Sequence, residues 1–251
     1  MRDSRRKELA AYIAQQGDVT MPELCEAFHV SMNTIRADVA ALEKTGTVEK
    51  VYGGVRSTMQ QEVPLFTQRA QIHADAKQAI AHAAARQLKD GDTLFIDAGT
   101  TTMHVLDALP AEIRLTIVTG NVPLLARAFN HPEIEIFVLP GSFNRRTNSV
   151  SGIGTMEILS RYHFAKAIMA TTGLSKDGKL NVSSYLEYEI KRLAVQQSDQ
   201  RILLCDSSKF GASGLIGYAT LGEMDRLITD ADCPEALKTL CAKSGTALEI
   251  A

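Results

Sequence analysis

From about residue 75 onward the chain alternates strand-sized apolar runs with stretches of helical period, and no other feature restricts its fold so tightly. The runs are Thr93 to Asp97, Leu115 to Thr119, Glu135 to Leu139, Ala167 to Thr171, Arg201 to Cys205 and Ala247 to Ile250. Between them lie helical patterns that end at Leu88, start at Thr102, or span Pro123 to Phe129, Ser184 to Gln196 and Glu235 to Ala242. Strands that neighbour in parallel need a long crossover, usually a helix, whereas antiparallel neighbours need only a turn. The spacing therefore predicts an α/β domain over 75–251, built on a mainly parallel sheet covered by helices. A hydrophobic content of 45% is ample for such a core.

The same runs exclude other classes. None approaches the ~20 apolar residues needed to cross a bilayer. The basic start, Met1 to Lys7, has no apolar stretch behind it to act as a secretory leader, so a cytoplasmic protein with no membrane partner is expected. Cys25, Cys205, Cys233 and Cys241 lack Cys-x-x-Cys spacing and are read as core thiols, with no metal site and no cofactor. His73, His82, His104, His131 and His163 share no spacing and are read as surface or satisfied core residues, so no catalytic group is assigned.

Residues 1–57 carry a different pattern. A helix is expected from about Asp3 to Gln16, with Leu9, Tyr12 and Ile13 on one face and Gly17 closing it. Thr20-Met21-Pro22-Glu23 combines an N-cap hydroxyl, a proline in the first turn and a glutamate at the third position, which marks a second helix ending near Phe28. Ser31 then offers another N-cap, and Ile35, Val39 and Leu42 repeat at helical spacing until Gly46. Two helices joined so tightly form a helix-turn-helix. Thr47 to Val51 reads as a strand, with Tyr52-Gly53-Gly54 turning into its return, which is the geometry of a wing. The third helix presents Asn33, Ala37, Ala40 and Lys44 away from its apolar stripe, with Arg36 at the flank. This segment is electrically neutral in total, yet four of its basic residues fall within the first seven positions, which suits a module with one basic side. Residues 58–74 lose apolar periodicity and are read as a linker leading into a connecting helix.

In open α/β sheets ligands bind beyond the carboxyl ends of the strands. There the sequence places Asp97-Ala98-Gly99-Thr100-Thr101-Thr102, then Thr119-Gly120-Asn121, then Pro140-Gly141-Ser142 with Arg145 and Arg146, and finally Asp206 to Gly211 with Lys209. Small hydroxyls, a helix start and nearby cations suit one phosphorylated polyol. Any one of these loops is also ordinary turn and capping chemistry. Glu187 and Lys191, at i and i+4, either form a surface ion pair or point into the site.

In this order the residues resemble a known family. Val30-Ser31, Thr34-Ile35-Arg36, Asp38, Leu42-Glu43, Gly46 and Gly53-Gly54 resemble the DNA-binding signature of DeoR-family bacterial transcription regulators. Gly91-Asp92, Asp97, Gly99 to Thr101, Thr119 to Asn121, Gly141, Gly152, Lys166-Ala167, Glu187, Lys191-Arg192 and Asp206 to Gly211 resemble its sugar-phosphate sensing domain. The resemblance implies a winged helix-turn-helix joined to a domain similar to ribose-phosphate isomerases, and a repressor of carbohydrate uptake or catabolism released from its operator by a phosphorylated sugar. It also implies a homodimer or homotetramer on double-stranded operator DNA. Ala37 stands where a second arginine is usual, Lys50 is the basic residue of the wing, and Tyr52 replaces a common histidine. Gly120 and Pro140 depart from the usual sensor residues. The related isomerases use an acidic loop for proton transfer, and by position this chain has Ala170-Thr171-Thr172-Gly173, so binding without turnover is expected.

The expected DNA contacts are Ser31, Asn33, Thr34 and Arg36 near bases or phosphates, Tyr52 and Gly53 in the wing, and Arg5, Arg6, Lys44 and Lys50 on backbone phosphates. The expected effector contacts are Asp97, Gly99, Thr100, Thr101, Thr102, Thr119, Asn121, Gly141, Arg145, Glu187, Lys191 and Lys209. Two other readings compete: a sugar-phosphate isomerase with an accessory helical module, and an adaptor that grips a protein partner.

Overall fold

Helix α1 (Arg2–Gln16) and the short strand β1 (Val19–Thr20) begin the computed structural model, which describes residues 2–16, 19–51, 54–57, 64–152 and 154–251. Thr20 then starts α2 (Met21–Phe28) through a full capping box. The Glu23 N–H donates to the Thr20 hydroxyl at 3.4 Å, and the Thr20 N–H donates to the Glu23 carboxylate at 2.8 Å. His29, left-handed at φ 51°, turns the chain so that Ser31 caps α3 (Met32–Lys44). Strands β2 (Val48–Val51) and β3 (Gly54–Ser57) pair antiparallel, and β1, which the sequence reading missed, adds to the other side of β3. Ile35, Val39 and Leu42 meet Leu9, Ile13, Leu24, Val48 and Val55 in one core, the stripe that their spacing predicts. Gly17, Tyr52 and Gly53 lie outside the described residues.

These elements form one of two compact units, Met1–Val63; the other is Pro64–Ala251. The second unit begins with α4 (Phe66–Gln71) and α5 (Ala74–Ala85), followed by β4 (Thr93–Ile96), β5 (Leu115–Thr119), α6 (Val122–Ala128) and β6 (Ile134–Val138). A hairpin of β7 (Ser142–Asn144) and β8 (Ser149–Ser151) leads to α7 (Thr155–Leu159), β9 (Phe164–Ala170), β10 (Gly173–Leu174), β11 (Lys179–Val182) and α8 (Tyr185–Gln196). The chain closes with β12 (Ser198–Leu204), β13 (Ile216–Thr220), β14 (Arg226–Thr229), α9 (Glu235–Ser244) and β15 (Ala247–Ile250).

Seven strands form one sheet in the order β15-β14-β12-β9-β4-β5-β6, and every neighbouring pair is parallel. Successive side chains enter different cores: Leu94 and Ile96 pack with Ile80 and Ala84 of α5, while Phe95 packs with Phe164, Met169 and the α8 residues Ile190 and Ala194. Burial on both faces explains why these strands read as continuous apolar runs. Each such side chain contributes about 1.5–3 kcal/mol.

Two expectations change. The segment after β4 is a 3-10 helix, Thr102–Ala108, rather than an α-helix. Residues 64–74, read as linker, are folded into the second unit: Phe66 is buried and its N–H donates to the Arg146 carbonyl at 3.0 Å. Residues 58–63 of that linker lie outside the described residues. The antiparallel sheet β10-β11-β13 and strand β14 were not anticipated.

Candidate functional site

On α3, Asn33, Arg36 and Lys44 are exposed, and among the described residues their side chains make no hydrogen bond or ion pair. Ser31 and Thr34 are bound to one another, the Thr34 N–H and hydroxyl meeting the Ser31 hydroxyl at 3.3 and 2.9 Å, so they shape the helix start as well as flanking it. Lys50 of β2 is exposed and paired with Glu43. Tyr52 and Gly53 are outside the described residues.

Arg5 and Arg6 differ from the expectation that they serve phosphates. Their Nε groups donate to the two oxygens of Asp38, at 2.8 and 3.0 Å. Asp38 lies on the inner side of α3 with a side chain only 1% exposed, and a buried carboxylate must be paired. Burial pushes its pKa up, but the two guanidinium bonds outweigh this and hold the carboxyl below its ordinary value. These arginines therefore fasten α1 to α3.

In the second unit, the chain moves from β4 to β5 and β6 on one side and later returns to β9 on the other. In open α/β sheets the carboxyl edge at such a reversal is where ligands bind. Asp97 follows β4 there. Its carboxylate accepts the Ala98 and Ala170 N–H groups, both at 2.9 Å, and forms an ion pair with Lys191. Lys191 also donates to the Ala170 carbonyl at 3.0 Å and stands 5.4 Å from the Tyr218 ring centroid. The Tyr218 hydroxyl donates to the same carbonyl at 3.1 Å, and burial drives its pKa well up, so it remains a neutral donor.

Several expected contacts are buried braces instead. The Thr102 hydroxyl donates to the Asp97 carbonyl at 2.6 Å, and the Thr119 hydroxyl to that of Ile96 at 2.5 Å. The Asn121 amide donates to the Asp97 and Gly99 carbonyls at 3.1 and 3.3 Å, while its side-chain oxygen caps α6. All three side chains are fully buried. Gly141, at φ 144°, passes so close to Ser151 that a Cβ would lie 2.0 Å from its carbonyl oxygen, so it shapes the hairpin. Gly99 likewise has no room for a Cβ, which would come within 2.7 Å of Ala170 Cβ. Glu187 accepts from the Ser183 and Ser184 hydroxyls at 2.9 and 3.3 Å and does not pair with Lys191.

What remains unspent is specific. Thr100 and Thr101 are nearly buried, yet among the described residues neither hydroxyl has a hydrogen-bond partner. The Lys209 ammonium is half-buried and Arg145 is exposed, both without hydrogen bond or ion pair among the described residues. Lys77 of α5, absent from the sequence reading, feels the charge of Lys209 but is not one of these free groups, since its ammonium donates to the Arg69 and Ile72 carbonyls. Its pKa is pushed down to about 8 by burial, opposed by Asp206 and furthered by Lys209 and Arg69. A signal existed, because Lys77 recurs with Ile80, Ala81 and Ala84 on one buried helical stripe. Arg69, whose pKa burial lowers and Glu187 opposes, was missed because it fell in the expected linker.

The loop 170–173 contains no carboxylate that could shuttle a proton as in the isomerase reading. Among the described residues no three metal-ligating side chains cluster, and no helix is long and apolar enough to cross a membrane. His131 departs from the reading of satisfied histidines, since its Nδ1 is buried without a partner among the described residues. Cys205, Cys233 and Cys241 are buried free thiols, while Cys25 is half-exposed.

Comparison with known proteins gives matches to both units. The family described as the DeoR-like helix-turn-helix domain matches residues 5–61, and the DeoR C terminal sensor domain matches residues 72–231. The chain is 35% identical to the HTH-type transcriptional regulator IolR of Bacillus subtilis over 251 residues, which is 100% of each chain. It is 28% identical to the Glycerol-3-phosphate regulon repressor of Escherichia coli, covering 98% of each chain. Among solved structures, ribose 5 phosphate isomerase A from Neisseria gonorrhoeae superposes with a TM-score of 0.39 at 14% identity, over 55% of this chain and 53% of that one.

Proposed function

The chain belongs to the DeoR family of transcription regulators, and from that premise we propose that it represses a carbohydrate uptake or catabolism operon and is released from its operator by a phosphorylated sugar. The observation that carries this reading is the set of unspent groups at the carboxyl edge of the parallel sheet: the Thr100 and Thr101 hydroxyls after β4 and the Lys209 ammonium after β12, with the Asp97 carboxylate already paired with Lys191. Two hydroxyls and a cation on one sheet edge suit a ligand with both hydroxyl and phosphate groups. A relative is named the Glycerol-3-phosphate regulon repressor, a name that contains a phosphorylated polyol.

The DNA-binding domain in this reading is 1–57 and the sensor core 75–251, with α4 now counted with the sensor. Asn33 and Arg36 read the major groove, Lys44 and Lys50 meet phosphates, and two-fold related half-sites require a dimer or tetramer working in the cytoplasm. A ligand changes DNA affinity only by its unequal affinity for the two states.

The test is thermal unfolding of the full chain with glycerol 3-phosphate, glucose 6-phosphate, fructose 6-phosphate and ribose 5-phosphate, their unphosphorylated parents, and inorganic phosphate. A sugar phosphate at about one hundred times its Kd adds about 2.7 kcal/mol to the native state. For a domain of this size that raises the midpoint by roughly 5–10 °C. The rise should vanish in Lys209→Ala. A midpoint unmoved by every phosphorylated compound, or a shift that survives Lys209→Ala, would refute the assignment.

A further inference from the structure

Helix α4 is short and exposed along much of its length, yet it is tied at both ends to the groups that line the sheet edge. At its start the Phe66 N–H donates to the carbonyl of Arg146, which follows Arg145 in the β7–β8 connection. At its end the buried Lys77 ammonium donates to the carbonyls of Arg69 and Ile72. The last carbonyls of a helix have no partner within the helix, and a cation there is favoured by the helix dipole. Between the ends, the Arg69 guanidinium lies 5.6 Å from the Phe66 ring centroid and feels the charge of Glu187 at the start of α8. His73, which joins α4 to α5, sits at φ 52° and ψ 42°, a conformation sparsely populated by residues with a Cβ. A joint of that kind is held by its surroundings rather than by local preference.

Charge makes the fastening sensitive to the site. Lys77 feels the cations Lys209 and Arg69, set against the carboxylate Asp206, while Arg69 feels Glu187. A dianionic phosphate beside Lys209 offsets the repulsion that Lys209 exerts on Lys77. The ammonium is then held more firmly against both carbonyls. Along the chain, α4 directly follows residues 58–63, which lead from the DNA-binding unit.

We propose that α4 is a strap which carries the state of the sheet-edge site to the chain leading into the DNA-binding unit, and that Lys77 is the positioning residue that fastens it. Ligand tightens the strap, and the tightened strap is the state that releases DNA. This inference rests on the reading that the edge takes a phosphorylated ligand.

The test compares the full chain, Lys77→Met and Lys77→Arg, after confirming that all three unfold cooperatively. The first measurement is hydrogen exchange without ligand. Lys77→Met is expected to speed exchange across residues 66–73 by about tenfold or more while the strands of the parallel sheet are unchanged, and Lys77→Arg to stay close to wild type. The second uses DNA selected by the wild-type chain from a random-sequence pool, with the compound that most raises the wild-type midpoint. Wild type and Lys77→Arg should lose DNA affinity by about fivefold or more when that compound is added. Lys77→Met should still be stabilised by the compound and yet keep its DNA affinity within about twofold, since the site is intact but its message is cut. Unchanged exchange of α4 in Lys77→Met, or release of that variant from DNA as readily as wild type, overturns the strap. If the wild type shows neither a midpoint rise nor DNA retention, the functional reading itself falls and the signalling role of α4 with it. The exchange measurement, needing neither ligand nor DNA, then still decides whether Lys77 fastens α4.

Discussion

Replacing Asp38 by alanine tests how the recognition helix is held. The carboxylate is 1% exposed and receives one Nε bond from Arg5 and one from Arg6, whose side chains are 30% and 26% exposed. Breaking a fully buried ion pair by removing one partner costs about 3–5 kcal/mol, chiefly because the stranded charge cannot reach water. Here the stranded guanidiniums are partly exposed and can be rehydrated, which removes part of that penalty. What is lost includes the two charge-assisted Nε hydrogen bonds, each worth about 1.5–3 kcal/mol before rehydration is set against them. The expected net loss is about 2–3 kcal/mol, which corresponds to roughly 30–150-fold faster hydrogen exchange of the α3 amides that open with the unit. The pH dependence has a definite sign. The folded-state pKa of Asp38 is depressed, so its contribution is complete above the unfolded value of about 3.9 and is lost as pH falls through the lower folded value. Wild-type α3 should lose this increment of protection below about pH 4, and Asp38→Asn should lack that loss. An alanine variant whose α3 amides exchange within about twofold of wild type would refute the clamp.

The same clamp bears on DNA. Lys44→Ala should flatten the dependence of log K on log salt by about 0.9, whereas Arg5→Gln should weaken binding with little change of slope, and equal slopes in wild type and Lys44→Ala would remove Lys44 from the phosphate contacts. Arg36→Ala should lose discrimination against mismatched sites by about 1–3 kcal/mol in a competition assay, and unchanged discrimination would exclude it from base reading. In the sensor, Asp97→Ala should lower the stability of the second unit by about 3–5 kcal/mol in urea titration, because Lys191 is left buried and unpaired. The Asp97→Ala, Lys191→Met double variant should recover part of that loss, and a purely additive result would contradict the pairing. Gly120→Ala would place a Cβ 2.4 Å from the Val150 carbonyl oxygen, and its thermal midpoint should fall by an amount equivalent to about 1–3 kcal/mol. With the Cys241 thiol pushed up to about 11 and Cys205 higher by burial, thiol labelling of the folded chain at pH 8 should be confined to Cys25, and rapid labelling of Cys205 would mean that this core opens.

How much of this was legible depends on whether a residue's role is set locally. The caps at Thr20 and Ser31 were readable because the side chain and the backbone groups it satisfies are three residues apart. The strands of the parallel sheet were readable because burial on two faces leaves an unbroken apolar run, and Leu115–Thr119 and Ala247–Ile250 have the bounds expected. Strands β10, β11 and β13 were not, since Gly173–Leu174 is too short for a period and the β11–β13 ladder is broken by a bulge between Leu180 and Asn181. At the candidate site, the sequence named the loops but not the division of labour within them. Thr100 and Thr102 look alike in a row of hydroxyls, and only the fold turns one toward the Asp97 carbonyl and leaves the other without a partner among the described residues.

Charged residues show the limit most clearly. By spacing, Lys191 has Glu187 as its partner one turn away, a pair worth about 0.3–0.5 kcal/mol on an exposed helix. But Ile190, Ala194 and Val195 turn that side of α8 inward, and Lys191 goes with them. A buried ammonium needs a carboxylate that is also buried, and the capping of Ser184 keeps Glu187 at the helix start. Asp97, 94 residues away and held by two backbone N–H groups at the sheet reversal, is the carboxylate that meets the requirement. Arg5 and Arg6 follow the same logic in the other unit: a basic amino terminus reads as a phosphate contact until the burial of Asp38 claims it. For these residues the partner is chosen by the cost of leaving a charge dry, a quantity that exists only once the core around it has formed.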